Sequence, residues 1–323
     1  MTARPEPLLR IDGAALAYRG ARALEGIDLA LGAGETLALL GPNGAGKTSL
    51  MRLIAGRLGP AAGRVRVAGA DPHRSRAARA VIGWVPQEIA LYPRLSVAEN
   101  LSVFAQLAGI ARRERGEAVA TGLALCALAE VAGRPVGLLS GGYQRRVNIA
   151  ASLMAGPRLV LLDEPTQGVD LHARAAIHAV LARLRAAGTA LLVATHDFAE
   201  AERLADRVAI LAQGRIVVDG RLADLLARIR ADAPEHEVVL AAPAEPDAEA
   251  VLRRTGFLPR DIGSIWRATR LAGPALDGAA LLDALRASGV PVTEIRIRAP
   301  GLEGVYRSAL SGIEAGAGEG RAS

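Results

Sequence analysis

Aromatic side chains are scarce, with two Trp, four Tyr and three Phe making up 3% of a 323-residue chain. Proteins that hold single-stranded nucleic acid on stacked rings need aromatic faces in series, so that class is excluded and no nucleic-acid partner is expected. Cysteine is almost absent. Cys126 stands alone, which rules out an intramolecular disulfide and with it a disulfide-built extracellular scaffold. Lying in the uncharged stretch from Ala118 to Ala129, it reads as a small core residue rather than a redox or nucleophilic group. Long apolar runs are missing as well. None approaches the roughly 20 residues that a membrane-crossing helix needs, and Arg10 and Asp12 interrupt the place where a secretion signal would require its apolar segment. A cytosolic chain is expected.

Lysine is the most telling scarcity. Of 39 cationic side chains only Lys47 is not an arginine. Arginine evidently serves wherever positive charge alone is wanted, so the exception marks a place that needs a compact ammonium on a flexible stem.

What is present fits a globular chain with a substantial core. Hydrophobic residues make up 51% and charged residues 22%, and the mean hydropathy is +0.24. The net charge of +6 is unevenly spread: residues 1–220 carry 26 basic and 19 acidic side chains, residues 221–323 carry 13 and 14. Short arginine clusters, Arg74/Arg76/Arg79 and Arg112/Arg113/Arg115, read as solvated helix faces, with docking to a partner as the second reading.

Lys47 lies in Gly41-Pro42-Asn43-Gly44-Ala45-Gly46-Lys47-Thr48, which satisfies G-x-x-x-x-G-K-[ST]. The apolar strand Thr36–Leu40 precedes it and a helix from Ser49 to Ala55 follows. Glycines let the backbone curl so that successive N–H groups face phosphate oxygens at the positive end of a helix. Lys47 would reach the β and γ phosphates of a nucleotide, and Thr48 would coordinate Mg2+.

A phosphate loop needs a second metal ligand and a group to handle attacking water. The run Leu159-Val160-Leu161-Leu162 ends in Asp163 and Glu164. Such a run reads as a buried parallel strand whose C-terminal end faces the ligand. Asp163 is then a candidate Mg2+ ligand and Glu164 a candidate base. Leu139-Ser140-Gly141-Gly142-Tyr143-Gln144 opens a helix reaching about Ala155, with Ser140 a plausible N-cap or part of a second anion-binding surface. One phosphate loop hardly needs two such surfaces unless the second serves a nucleotide held mainly by another subunit.

These residues resemble the ATP-binding subunit of an ABC transporter across about residues 8–220. The likeness also covers Gln87 after Trp84-Val85-Pro86, the loop Gly168-Val169-Asp170, and His196 at the end of the strand Ala190–Thr195. The resemblance implies two cassettes paired head to tail around two ATP molecules, as a homodimer or with a paralogue. Lys47, Thr48 and Ser49 of one would face Ser140, Gly141 and Gly142 of the other. It further implies that Gln87 senses Mg2+ and water, Glu164 polarises the water, His196 contacts the γ phosphate and Asp170 supports the interface. Tyr18 falls where the family places a ring under the adenine. His73, His172, His178 and His236 lie in polar or helical contexts and are expected at the surface.

The fold implied is α/β: a P-loop cassette with a mainly parallel sheet, an antiparallel β region (strands near 8–18, 27–31 and 64–68) and a helical insert, over residues 1–220. Residues 221–311 read as a small α+β accessory domain, broken at Pro234, and 312–323 as a disordered tail. The segment from Ala299 to Tyr306 is similar to the ending of drug- and antibiotic-exporter ATPases, with Gly304 and Tyr306 where Asp and Phe are usual. An ATPase subunit at the cytoplasmic face of the cell membrane, powering export through a separate permease, is therefore expected. The permease would be met around Gln87 to Asn100. An importer ATPase with a regulatory C-terminal domain, and a soluble ATPase acting on ribosomes or DNA, are the rival readings.

Overall fold

The computed structural model describes residues 6–18, 21–230, 235–260, 263–268, 278–298 and 301–319. The expected break at Pro234, strand end at Thr269, the pair Ala299-Pro300 and residues 320–323 lie outside them. The chain divides into two compact units, Met1–Leu222 and Ala223–Ser323.

In the first unit the strands β1 (Leu9–Tyr18) and β2 (Ala21–Leu31) form a hairpin, and β3 (Thr36–Leu40) runs into α1 (Lys47–Ile54). Next come β4 (Ala62–Val67), α2 (Arg76–Ala80) and β5 (Ile82–Val85), then the helices α3 (Val97–Leu107), α4 (Arg115–Leu125) and α5 (Gly141–Ser152). The unit closes with β6 (Leu159–Asp163), α6 (Leu171–Ala186), β7 (Ala190–Ala194), α7 (Phe198–Leu204), β8 (Arg207–Ala212) and β9 (Arg215–Arg221).

Two sheets result. β2-β1-β4 is antiparallel, and β5-β6-β7-β3-β8-β9 is parallel except for its last pair. β3, β6 and β7 are buried at every position, as expected of parallel strands covered on both faces. Their alternation splits the core in two. Leu37, Leu39, Leu159, Leu161 and Leu192 pack with α1 and the antiparallel sheet, whereas Val160, Leu162, Leu191 and Val193 pack with α3, α5 and α6. Cys126 is fully buried in the second cluster, and burial pushes its thiol up to about 12, which leaves it inert.

The strand order decides where chemistry can sit. β5, β6, β7 and β3 are consecutive neighbours running the same way, so the chain leaves all four at one edge of the sheet. Their exits carry Gln87, Asp163 and Glu164, His196, and the loop from Gly41.

β2 begins at Ala21, not near Ile27 as the sequence suggested. Its first half carries Arg22 and Glu25, and its pairing with β1 is irregular, so no apolar alternation marks it.

The second unit contains α8 (Leu222–Arg230, entered from the first unit's last residue), β10 (Glu235–Leu240), α9 (Pro246–Arg254), β11 (Leu258–Pro259), β12 (Ile265–Ala268), α10 (Gly278–Ala287), β13 (Val292–Arg298) and α11 (Leu302–Glu319). Its antiparallel sheet has the order β11-β12-β10-β13, and Val238, Leu252, Phe257, Trp266, Leu281 and Leu285 form its core. Glu237 is buried between Arg267 (2.9 Å) and Arg296 (3.0 Å) on the two flanking strands. His236 is buried rather than at the surface, because its position on β10 shares a face with Val238 and Leu240. α11 continues past Gly312, where the sequence suggested that order ends.

Candidate functional site

The loop Gly41–Gly46 turns the chain from β3 into α1, beginning the helix at Lys47, two residues before the sequence-based start. Two of its glycines are required by space and conformation. A Cβ on Gly41 would stand 2.3 Å from the Leu211 carbonyl oxygen, and Gly46 has φ +109 with a Cβ position 2.9 Å from the Ala23 carbonyl oxygen. Gly46 is also the residue before the helix and offers no side-chain cap, so the N–H groups of the first turn of α1 face outward without one. That is the backbone of an anion cradle.

Lys47 is buried, and its Nζ donates to the carbonyl oxygens of Gly41 (2.7 Å) and Pro42 (3.3 Å). Burial lowers its pKa, opposed by the carboxylates of Glu164 and Asp163. The ammonium therefore folds back on its own loop, with two acids near enough to favour its charge.

The Thr48 hydroxyl donates to Asp163 Oδ2 at 3.0 Å. Burial pushes the Asp163 carboxyl above the ordinary range, against the Thr48 hydrogen bond and the charges of Lys47, Arg52 and Arg145. A hydroxyl and a carboxylate side by side, with neither thiolate nor imidazole, form a hard oxygen donor pair that suits Mg2+.

Glu164 follows directly and adopts φ +50, an uncommon conformation for a non-glycine residue. Its Oε2 lies 2.9 Å from His196 Nδ1. Glu164 is nearly covered while the His196 side chain is 60% exposed, so the pair joins a sheltered carboxylate to a ring that solvent or a ligand can reach. Gln87 does not bond to this group; its amide donates to Gln167 Oε1 at 2.5 Å.

Ser140 heads α5, but its hydroxyl caps nothing. Ser140 thus stands at the N-cap position that the sequence suggested, and its exposed side chain is not consumed by its own helix. Gly141 has open space around it, whereas a Cβ on Gly142 would meet the Ala173 Cβ at 2.3 Å, so Gly142 has a packing role whatever else it does. Asp170 caps α6 by accepting from the Ala173 N–H at 2.8 Å. Tyr18 closes β1 and is 39% exposed.

Several residues that the sequence left unremarked hold these groups in place. Arg145 on α5 donates to the Pro86 carbonyl oxygen at 2.9 Å, and Asn148 on the same helix accepts from the Ala90 N–H at 3.3 Å, fixing the segment around Gln87. Asn100 is fully buried and ties Tyr92, Leu95 and Ser96 through their backbones. It is thus scaffold, not contact surface; the exposed part of that stretch is 87–90, 92–94 and Glu99. His178 is buried rather than at the surface, its Nε2 3.2 Å from Glu200 Oε1. Spacing could have signalled it, since His178 shares a helix face with Leu181. His73 and His172 are exposed as expected. Among the described residues, no helix is long and apolar enough to cross a membrane.

A family profile described as ABC transporter matches residues 24–167. The chain is 44% identical over 189 residues to the Nod factor export ATP-binding protein I of Sinorhizobium fredii, covering 58% of this chain and 55% of that one, so it spans about half of that relative. It is 36% identical over 304 residues to the daunorubicin resistance ATP-binding protein DrrA3 of Streptomyces coeruleorubidus, covering 92% of this chain and 94% of the relative. Among solved structures, cbiO1 from Clostridium perfringens, part of the ABC transporter complex cbiONQ, superposes with a TM-score of 0.64 at 29% identity over 69% of this chain and 91% of the other. A dimeric post-hydrolysis state of the cassette MJ0796 bound to ADP and Pi gives a TM-score of 0.60 at 26% identity, over 66% and 98%.

Proposed function

The chain belongs to the ABC transporter ATP-binding family, and we propose that it is the ATP-hydrolysing subunit that drives export through a separate membrane protein. The observation that carries this reading is the convergence at one sheet edge of the Gly41–Thr48 loop, the Thr48–Asp163 contact and the Glu164–His196 contact. The export direction is supported by relatives whose names state Nod factor export and daunorubicin resistance.

The phosphates of ATP bind the loop backbone from Gly41 to Gly46 and the first turn of α1, including the N–H groups of Thr48 and Ser49. Lys47 exchanges its carbonyl partners for the β and γ phosphate oxygens. Thr48 and Asp163, with Gln87 as the third candidate, would hold Mg2+, which would supply positive charge against the phosphates. Glu164 orients the attacking water and accepts its proton. His196 holds the Glu164 carboxylate and, from its exposed side, bears on the γ phosphate. Tyr18 stacks on the adenine. A second cassette, a copy or a paralogue, supplies Ser140, Gly141 and Gly142 to the same γ phosphate, and Asp170 supports that interface.

The cassette works at the cytoplasmic face of the membrane. Ile89 and Tyr92, exposed beside Gln87, meet the membrane partner, so nucleotide closure is felt there through the Arg145 and Asn148 anchors. The second unit, Ala223–Ser323, serves as the accessory domain. The test is to tag the chain, solubilise native membranes in mild detergent and identify what co-purifies. A multi-spanning protein at comparable abundance supports the reading; ribosomal proteins or nucleic acid in its place would overturn it.

A further inference from the structure

Glu200 is 2% exposed, in α7, four residues after His196. Its Oε1 accepts from the Thr166 hydroxyl at 2.7 Å and lies 3.2 Å from His178 Nε2, while its Oε2 is buried with no hydrogen-bond partner. Thr166 and His178 are themselves buried. Nothing in the proposed hydrolytic chemistry uses these three groups. A buried carboxylate with one oxygen unsatisfied costs stability, and its place in the fold suggests what that cost supports.

Each partner stands on a different segment that carries a site residue. Thr166 is two residues past Glu164, His178 lies in the helix capped by Asp170, and Glu200 belongs to the helix that follows His196. The α6–α7 contact is made twice at helical spacing. Arg174 and His178, four apart on α6, meet Asp197 and Glu200, three apart at the start of α7, with Arg174 Nη1 2.7 Å from Asp197 Oδ2. α7 is thus aligned by its cap and by its first buried turn.

Glu164 adds a reason for such an anchor. At φ +50 its backbone is strained and persists only where the surroundings over-determine it. Upstream, β6 fixes it, and its own N–H donates to the Ala194 carbonyl oxygen at 2.9 Å. Downstream, the turn closes through the Gln167 N–H onto the Glu164 carbonyl oxygen at 3.2 Å. Within that turn the Thr166 side chain is tied to Glu200, while Gln167 holds Gln87.

We propose that Glu200 is a positioning residue: its carboxylate, bridging Thr166 and His178, locks the Glu164–Gln167 turn to the segment that carries His196, and so sets the Glu164–His196 geometry. This rests on the hydrolytic reading above. The device positions the groups that act on water and leaves the phosphate cradle of α1 alone, so its loss reduces turnover rather than nucleotide binding.

The experiment measures kcat and KM for ATP in the full chain for Thr166→Val, Thr166→Ser, Glu200→Gln and the Val/Gln double variant, with thermal unfolding alongside. Val keeps the shape of Thr without its donor, Ser keeps the donor, and Gln keeps an acceptor without the charge. A misplaced catalytic group costs up to about a hundredfold. The expected result is a kcat about tenfold lower or worse in Thr166→Val and Glu200→Gln, KM for ATP within about twofold, and substantial recovery in Thr166→Ser. The double variant falls no further than the worse single, since both act on the same Thr166–Glu200 contact. Values of kcat within about twofold of wild type in folded Thr166→Val and Glu200→Gln, or losses that multiply in the double, would overturn the proposal. If Glu200→Gln does not fold, the Val/Ser pair decides alone: a low kcat in Val with recovery in Ser supports it, and equal kcat in both contradicts it. Absence of turnover in the wild type would instead remove the hydrolytic reading itself.

Discussion

The hydroxyl of Thr48 donates to the Oδ2 of Asp163 at 3.0 Å across 115 residues of sequence. The contact joins the start of α1 to the end of β6, and it places a hard oxygen pair beside the only lysine in the chain.

Asp163 provides a prediction whose sign follows from burial. Its carboxyl is raised in the folded chain, so its contribution favours folding at low pH and is lost as pH rises through the raised value. Asp163→Asn should leave the nucleotide-free protein as stable as wild type or more so at neutral pH, and the difference should shrink on acidification. The same variant should lose Mg2+-dependent nucleotide binding. In wild type that binding should weaken at a pH above the ordinary carboxylate range, because protons compete with the metal. Thermal unfolding and nucleotide titration at several pH values check both.

Lys47 should not be replaceable by the arginine that serves everywhere else. Its buried ammonium fits between the carbonyl oxygens of Gly41 and Pro42, and a planar guanidinium does not match that space. Lys47→Arg and Lys47→Ala should both lose most ATP affinity in an equilibrium titration. As the single lysine, it can also be followed directly: MgATP should protect it from an amine-directed reagent, read by mass spectrometry of its peptide.

Neighbouring glycines separate packing from ligand roles. Gly142→Ala should lower thermal stability, since its Cβ would overlap that of Ala173; overpacking of this kind costs typically about 1–3 kcal/mol. Gly141→Ala meets no atom and should leave the unfolding temperature unchanged while lowering ATPase activity. Unchanged activity in Gly141→Ala would take that residue out of the nucleotide site.

Glu164→Gln should bind MgATP, lose most turnover and accumulate as a nucleotide-bound dimer. Steady-state hydrolysis together with size-exclusion chromatography reads all three. Turnover at the wild-type rate would remove Glu164 from its role.

The parts legible in sequence were those with short-range grammar. The glycine loop, the apolar run ending in Asp163-Glu164 and the helix opened by Ser140 each announce themselves within about ten residues, by spacing alone. What stayed hidden depends on side-chain contacts across the fold. His178 read as a surface residue in a helix rich in Ala and Arg; its spacing to Leu181 was the overlooked signal, and its partner Glu200 stands on another helix. Gln87 was singled out through the family resemblance alone, and its partner Gln167 stands 80 positions away. Asn100, fully buried, was masked by the exposed turn that it holds. The early half of β2 failed for a different reason: irregular pairing leaves no alternation to read.

A hydrolytic site shared between cassettes, with Lys47 and Thr48 from one and Ser140 from another, can be reassembled from two defective proteins. The most direct measurement mixes two inactive proteins, Lys47→Ala and Ser140→Arg, and assays ATP hydrolysis. In the mixed dimer one site combines an intact Lys47 with an intact Ser140, so a shared site gives activity well above either parent alone. Mixed dimers shown to form, with activity no higher than that of the parents, would contradict it.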